Sequence, residues 1–296
     1  MKTVHYPVMY REVIKELSLR NKKIIVDCTI GVASHALKFF EAMDKDSILI
    51  GIDKDDESLR VARMRLKKYE SRFELFKDDF RNLDLILDNL GIKKADIFFF
   101  DLGISTFQLS DSQRGFSFSK DGPLDMRMDK MSFLCAYDIV NYLSEYELNA
   151  IFKKFGEERF SRRIARLVVE KRRQEPISTT SQLKDVVLEA VPRRHYSFRH
   201  PATRIFQALR IVVNRELESL EMGIKKAIEH LSYGGRIGVI TFHSLEDRIV
   251  KHTFRDLSLK GVVKLVNKKP FVPGTEELKE NISSRSAKLR VAEKII

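Results

Sequence analysis

A chain of 296 residues with 54 Lys plus Arg against 42 Asp plus Glu carries a formal charge of +12 and a pI near 9.5, which points to a polyanionic partner. Hydrophobic residues make up 43%, which excludes disorder as the main state, and no apolar run reaches signal-peptide or membrane-spanning length, so a cytoplasmic protein without a membrane partner is expected. Two cysteines, Cys28 and Cys135, are too few for a disulfide framework or a Cys-based zinc site and read as core residues.

Lys22 to Asp27 is a short β-branched run that ends in a carboxylate and leads through Cys28 to His35 into the helical stretch Ala36 to Met43, a strand, a turn and a helix. Ser47 to Asp53 repeats the pattern, followed by a Lys- and Arg-rich helix from Glu57 to Tyr69. Phe73 to Lys77 and the almost wholly apolar Ala95 to Asp101 are a third and a fourth strand. Continuous apolar runs imply strands covered on both faces, hence an α/β fold with a parallel sheet. Apolar residues three and four apart predict helices over Asn141 to Gly156, Arg159 to Arg173 and Ser181 to Val191. Ala202 to Leu231 reads as one long helix, Tyr233-Gly234-Gly235 as its stop and turn, and Arg236 to Phe242 as the fifth strand. Val262 to Val266 and Lys288 to Ile295 supply two edge strands that close the sheet.

In a parallel sheet the ligand crevice lies beyond the carboxyl ends of the strands, so Asp27, Gly31 to His35, Asp53, Asp78 to Phe80 and Asp101 should converge. Asp53 follows Asp27 by 26 residues, where a carboxylate accepts hydrogen bonds from a nucleoside ribose. Any one of these carboxylates serves equally well as a helix cap, but four acidic strand ends around one crevice point to a nucleoside site. The Gly-x-Gly-x-x-Gly cradle for a pyrophosphate is absent, since only Gly31 is present and Val32, Ala33 and Ser34 occupy the rest. That counts against a nicotinamide-dependent oxidoreductase and favours a cofactor without phosphates. S-adenosylmethionine is such a cofactor, with a ribose suited to an acidic strand end and a positive sulfonium suited to carboxylates.

After the fourth strand, Asp101 to Leu109, Arg114-Gly115-Phe116-Ser117-Phe118 and Asp121 to Asp129 make poor core and poor helix. Loops of that composition directly after a strand end carry function. From Lys153 to Arg215 there are 16 Lys plus Arg and 6 Asp plus Glu, a net of +10. Arg162, Arg163, Arg166, Lys171, Arg172 and Arg173 alone read as a solvated helix face. Arg193 to His200 interleaves basic and aromatic residues, which combines phosphate contacts with base stacking and predicts RNA binding. His243-Ser244 are adjacent and cannot form a hydrolytic triad by themselves, and no Gly-x-Ser-x-Gly elbow exists. The seven histidines show no metal-ligand spacing, and no metal is expected.

His5-Tyr6-Pro7-Val8, Asp27 to Gly31, Asp101 to Asp129, His200 to Arg210, Phe242 to Arg248 and Ser284 to Arg290, taken in order, resemble the MraW (RsmH) family. The resemblance implies an S-adenosylmethionine-dependent methyltransferase acting on the exocyclic N(4) amino group of a cytidine in the decoding region of 16S ribosomal RNA, within the small ribosomal subunit. It implies a class I, Rossmann-like methyltransferase domain, residues 1–106 and 213–296, with an inserted all-helical substrate-recognition domain, 107–212. No obligatory protein partner is expected. Ala33, Ser34 and His35, then Asp53, Phe80, Asp101 and Gln108, are the implied cofactor contacts. Where the family has Gly-Gly before the histidine, this chain has Ala33-Ser34, which retunes those contacts and leaves room for a non-enzymatic ribosome-assembly protein with a degenerate site. Asp101 is the expected catalytic residue, accepting hydrogens from the amino group, or else a cofactor contact alone, with Asp125, Arg127 and Ser105 as lesser candidates. Arg127, Arg193, Arg194 and His243 are the expected substrate contacts, and Phe107, Phe116 or Phe118 could receive the face of a flipped base.

Overall fold

The computed structural model describes residues 7–196 and 200–296, with the backbone alone at His195. His5-Tyr6 and Ser197-Phe198-Arg199 lie outside the described residues. Strands β1 (Ile24–Asp27), β2 (Ile48–Asp53), β3 (Phe73–Lys77), β4 (Ala95–Asp101), β5 (Leu231–Thr241), β6 (Val263–Leu265) and β7 (Lys288–Lys294) form one sheet in the order β3-β2-β1-β4-β5-β7-β6. The first five run parallel, and β7 is antiparallel to both β5 and β6. This is the class I, Rossmann-like arrangement.

Helices α1 (Tyr10–Leu17), α2 (Ser34–Ala42), α3 (Asp56–Leu66) and α4 (Leu83–Asn89) alternate with the first four strands. A run of helices follows: α5 (Thr106–Ser110), α6 (Ala136–Tyr142), α7 (Glu145–Gly156), α8 (Ser161–Arg172), α9 (Thr180–Ala190) and α10 (Ala202–Asn214). Then come α11 (Glu216–His230), α12 (Ser244–Leu259) and α13 (Thr275–Glu280). The chain divides into two compact units, Met1–Gly103 with Leu217–Ile296, and Ile104–Glu216.

In the first unit both faces of the sheet are covered. Along β4, Ile97 and Phe99 enter one core with Ile25, Leu49 and Phe39, whereas Phe98 and Phe100 enter another with Val26, Ile50, Leu220 and Ile224. Successive side chains of a strand point to opposite faces, so burial on both removes any polar alternation. Each fully buried Phe contributes about 2 kcal/mol. Asp27 pairs with Gly51 of β2 and Phe99 of β4. Asp53 and Asp101 therefore each lie two residues beyond Asp27, about 7 Å along the strands, and flank it.

The second unit is helical, with Leu148, Phe152, Ile164, Val168, Leu183, Ile205 and Leu209 in its core. A Cβ on Gly156 would meet the Arg204 carbonyl oxygen at 2.7 Å, so this glycine lets α7 and α10 approach closely.

Four expectations are corrected. The long helix Ala202 to Leu231 breaks at Arg215, which is left-handed (φ 51°). Buried Asn214 bonds sideways, accepting from Met128 N–H at 2.7 Å and donating to the Met126 carbonyl at 2.8 Å. Asn141 to Gly156 is two helices, because Ser144 and Glu147 form a capping box that starts α7 afresh. Gly234-Gly235 is no turn: it lies inside β5, where the register with β4 shifts between Ala95 and Ile97 and where a Cβ on Gly235 would meet the Asp96 carbonyl oxygen at 2.8 Å. That is a bulge. Of the two closing strands, β6 is an edge and β7 lies inside the sheet.

Candidate active site

The loop after β1 is shaped by two left-handed residues, Gly31 (φ 50°) and Ala33 (φ 63°). Asp53 of β2 holds it, with Oδ2 accepting from Gly31 N–H at 2.8 Å and Oδ1 from Asp55 N–H at 2.9 Å. Arg65 of α3 braces the far side, donating to the Val32 carbonyl at 2.7 Å and to Ser34 Oγ at 3.2 Å. Sequence reasoning missed Arg65, whose only signal was a basic residue on the helix after the second acidic strand end.

Three carboxyls meet at these strand ends, and burial dominates all of them. Asp27, 1% exposed, accepts from Thr29 N–H at 3.2 Å; burial pushes its carboxyl up to about 7, the Thr29 hydrogen bond opposing and Asp53 adding. Burial raises Asp53 to about 6 against the pull of its two backbone hydrogen bonds. Asp101 is pushed well above the carboxylate range, by burial first and then by Asp27 and Glu246. Its backbone N–H donates to Thr29 Oγ1 at 2.7 Å. Its Oδ1 is enclosed without a hydrogen-bond partner among the described residues.

His35, at the start of α2, is buried against Phe99 with ring centroids 4.8 Å apart. Its Nε2 lies 2.9 Å from the Val8 carbonyl oxygen, which can only accept, so Nε2 carries a hydrogen. Its Nδ1 faces Asp101 Oδ2 at 3.4 Å. With Nε2 carrying a hydrogen, a proton on Nδ1 would make the ring a cation facing Asp101.

Phe80, after β3, packs edge-on against Phe100 at 5.4 Å, over Gly223 of α11, where a Cβ would come within 2.6 Å of its ring. Its neighbour Asp79 is a structural hub, ion-paired with Lys54 at 2.7 Å and Arg81 at 3.1 Å and accepting from Ser219 Oγ at 2.9 Å, which holds its carboxyl below the usual range despite burial.

After β5, His243 caps α12, its Nδ1 accepting from Glu246 N–H at 3.4 Å. Its Nε2 lies 3.1 Å from Glu246 Oε1 but is enclosed without the alignment of a hydrogen bond. Asp247 is committed to Lys288 at 3.1 Å and Arg290 at 2.7 Å. That ion triad gives Lys288 and Arg290 a structural role.

The remaining expected residues belong to the second unit. Gln108 is buried on α5, its Oε1 accepting from Ser105 N–H at 3.1 Å in a capping box. Arg127 grips Asp125 with two hydrogen bonds, at 2.9 and 2.7 Å, and donates to the Ser132 carbonyl at 2.8 Å, so its guanidinium braces its own loop. Arg193 and Arg194 are exposed on a short 3-10 turn. Phe116 is buried in the helical core, and Phe118 stacks on His200 at 4.6 Å and meets Phe206 edge-on at 5.0 Å. Of the three phenylalanines offered for base stacking, Phe107 is the exposed one.

A family model described as the MraW methylase family matches residues 2–295. A protein of Persephonella marina named ribosomal RNA small subunit methyltransferase H is 46% identical over 292 residues, 98% of this chain and 99% of that one. Proteins of the same name from Pseudothermotoga lettingae and Clostridium botulinum are 47% identical over 299 residues and 42% identical over 310, covering 99% and 100% of this chain and all of theirs.

Proposed function

The chain belongs to the MraW methylase family, and from that premise we propose that it methylates ribosomal RNA with S-adenosylmethionine as donor, at the exocyclic N(4) amino group of a cytidine in the decoding region of 16S ribosomal RNA within the small subunit. The observation that carries this reading is similarity along the whole chain to relatives named for small-subunit ribosomal RNA methylation, over a site where the buried carboxyl of Asp27 and the half-buried carboxyls of Asp53 and Asp101 meet without a glycine cradle for phosphates. The enclosed, unpartnered Oδ1 of Asp101 and the acidic end of β2 fit a positively charged nucleoside.

When bound, S-adenosylmethionine supplies an electrophilic methyl group on a sulfonium. The protein's residues bind and align. Asp53 offers the ribose hydroxyls its remaining lone pairs, the loop Ala33-Ser34-His35 and Phe80 border the cofactor, and Gln108 completes the contacts. The unpartnered Oδ1 of Asp101 would accept a hydrogen of the target amino group. On methyl transfer the target nitrogen would give up one proton, and Asp101 would take it. Alignment dominates such a step. The helical insertion, 107–212, recognises RNA through Arg193 and Arg194, while Arg127 and His243 act through the loops they brace.

Radiolabelled methyl transfer to small subunits purified from cells lacking the protein, followed by nuclease digestion, tests the reading. Label in N(4)-methylcytidine is the expected result, and label in another nucleoside overturns the assignment. Asp53→Asn removes one of two anionic acceptors and should weaken S-adenosylmethionine binding at least tenfold by calorimetry; unchanged affinity removes Asp53 from the site.

A further inference from the structure

Helix α8 carries an outward row of arginines that does nothing for the fold. Arg162, Arg163, Arg166 and Arg173 are exposed, while Ile164, Ala165 and Val168 are buried on the opposite side. None of the four makes an ion pair among the described residues, although Glu170 sits four residues after Arg166. Other basic residues nearby are employed: Lys171 pairs with Glu189 at 2.9 Å, and Arg172 donates to the Val140 and Leu143 carbonyls at 2.5 Å.

The row also opposes helix stability. Arg162 and Arg163 occupy the first turn, where the helix dipole disfavours cations, and α8 has no acidic residue and no side-chain cap there. By contrast α3, α7 and α12 each open on two acidic residues and a side-chain cap. Arg162 and Arg166 are also like charges one turn apart. An arrangement that costs the helix and satisfies none of its own charges fits an external polyanion. Spacings of four and seven residues keep Arg162, Arg166 and Arg173 on one stripe about 16 Å long, and forked guanidiniums suit phosphate oxygens.

We propose that this stripe is a phosphate-contacting surface for the RNA substrate, separate from Arg193 and Arg194; it rests on the RNA reading above. The test is binding of the full-length protein to small ribosomal subunits purified from cells lacking it, across a salt series, comparing the unaltered chain with the combined variant Arg162→Gln, Arg166→Gln, Arg173→Gln. Affinity should fall at least tenfold near 0.1 M salt, and the slope of log K on log salt should flatten by about two. The melting temperature should not fall and S-adenosylmethionine affinity by calorimetry should not change. Equal affinity and equal slope overturn the stripe while leaving the RNA reading in place. Absence of subunit binding by the unaltered protein overturns both.

Discussion

Ala33 sits in the left-handed region at φ 63°, ψ 33°, where a Cβ crowds the following carbonyl at a cost of about 1–2 kcal/mol. Glycine removes the clash but gains freedom in the unfolded chain, so Ala33→Gly should raise the melting temperature by only about 1–2 °C in thermal denaturation; a fall would mean that the methyl group's packing outweighs the strain. Asp27 makes the protein's stability depend on pH. Its folded carboxyl, near 7 through burial, binds a proton that the unfolded chain releases near 4. The associated stability is complete below pH 4 and lost as pH rises through 7. Asp27→Asn keeps an acceptor for Thr29 N–H and removes the charge. The variant should melt higher than the unaltered protein at pH 8, with a smaller gap at pH 5, and a gap equal at both pH values would show that Asp27 is not protonated in the fold. The acidic strand ends were visible in the sequence, but the approach of His35 Nδ1 to Asp101 was not, because it depends on the Val8 carbonyl holding the ring's other nitrogen.

Among the elements, Phe73–Lys77 and Ala95–Asp101 were legible to the residue, the second because an unbroken apolar run of strand length fits a strand covered on both faces. Ala202 to Leu231 was not, because apolar periodicity runs on through the break and what ends α10 is tertiary: Asn214 reaching residues 126 and 128. Asn214→Ala leaves the Met126 carbonyl and Met128 N–H without these partners, and should cost about 1–3 kcal/mol. Denaturant titration of the variant would reveal it as a lower midpoint at unchanged slope, and an unmoved midpoint would show that water replaces the amide. The break at Ser144 had a readable signal, Ser-x-x-Glu before an apolar stretch, which helical periodicity masked. The bulge at Gly234-Gly235 had none, because a glycine pair reads as a turn until the neighbouring Asp96 carbonyl is known to lie against it.

At the scale of the molecule, the formal charge of +12 is nearly all concentrated between Lys153 and Arg215, inside the helical unit. Reversing Arg193 and Arg194 to Glu should weaken RNA association more at low salt than at high, with cofactor affinity unchanged; an unaltered salt slope would exclude that turn from the interface. The layout of the sheet also has a bearing on how the protein is made. β7 is antiparallel between β5 and β6, so a nascent chain that has not yet emerged through residue 294 leaves β5 with one bare side and β6 with no neighbour. The helical unit, residues 104–216, leaves the ribosome before the sheet that flanks it in sequence can be finished. Premature termination anywhere before Lys288 therefore yields a product whose central sheet offers an open strand to other chains, and quality control of synthesis bears directly on this protein's solubility.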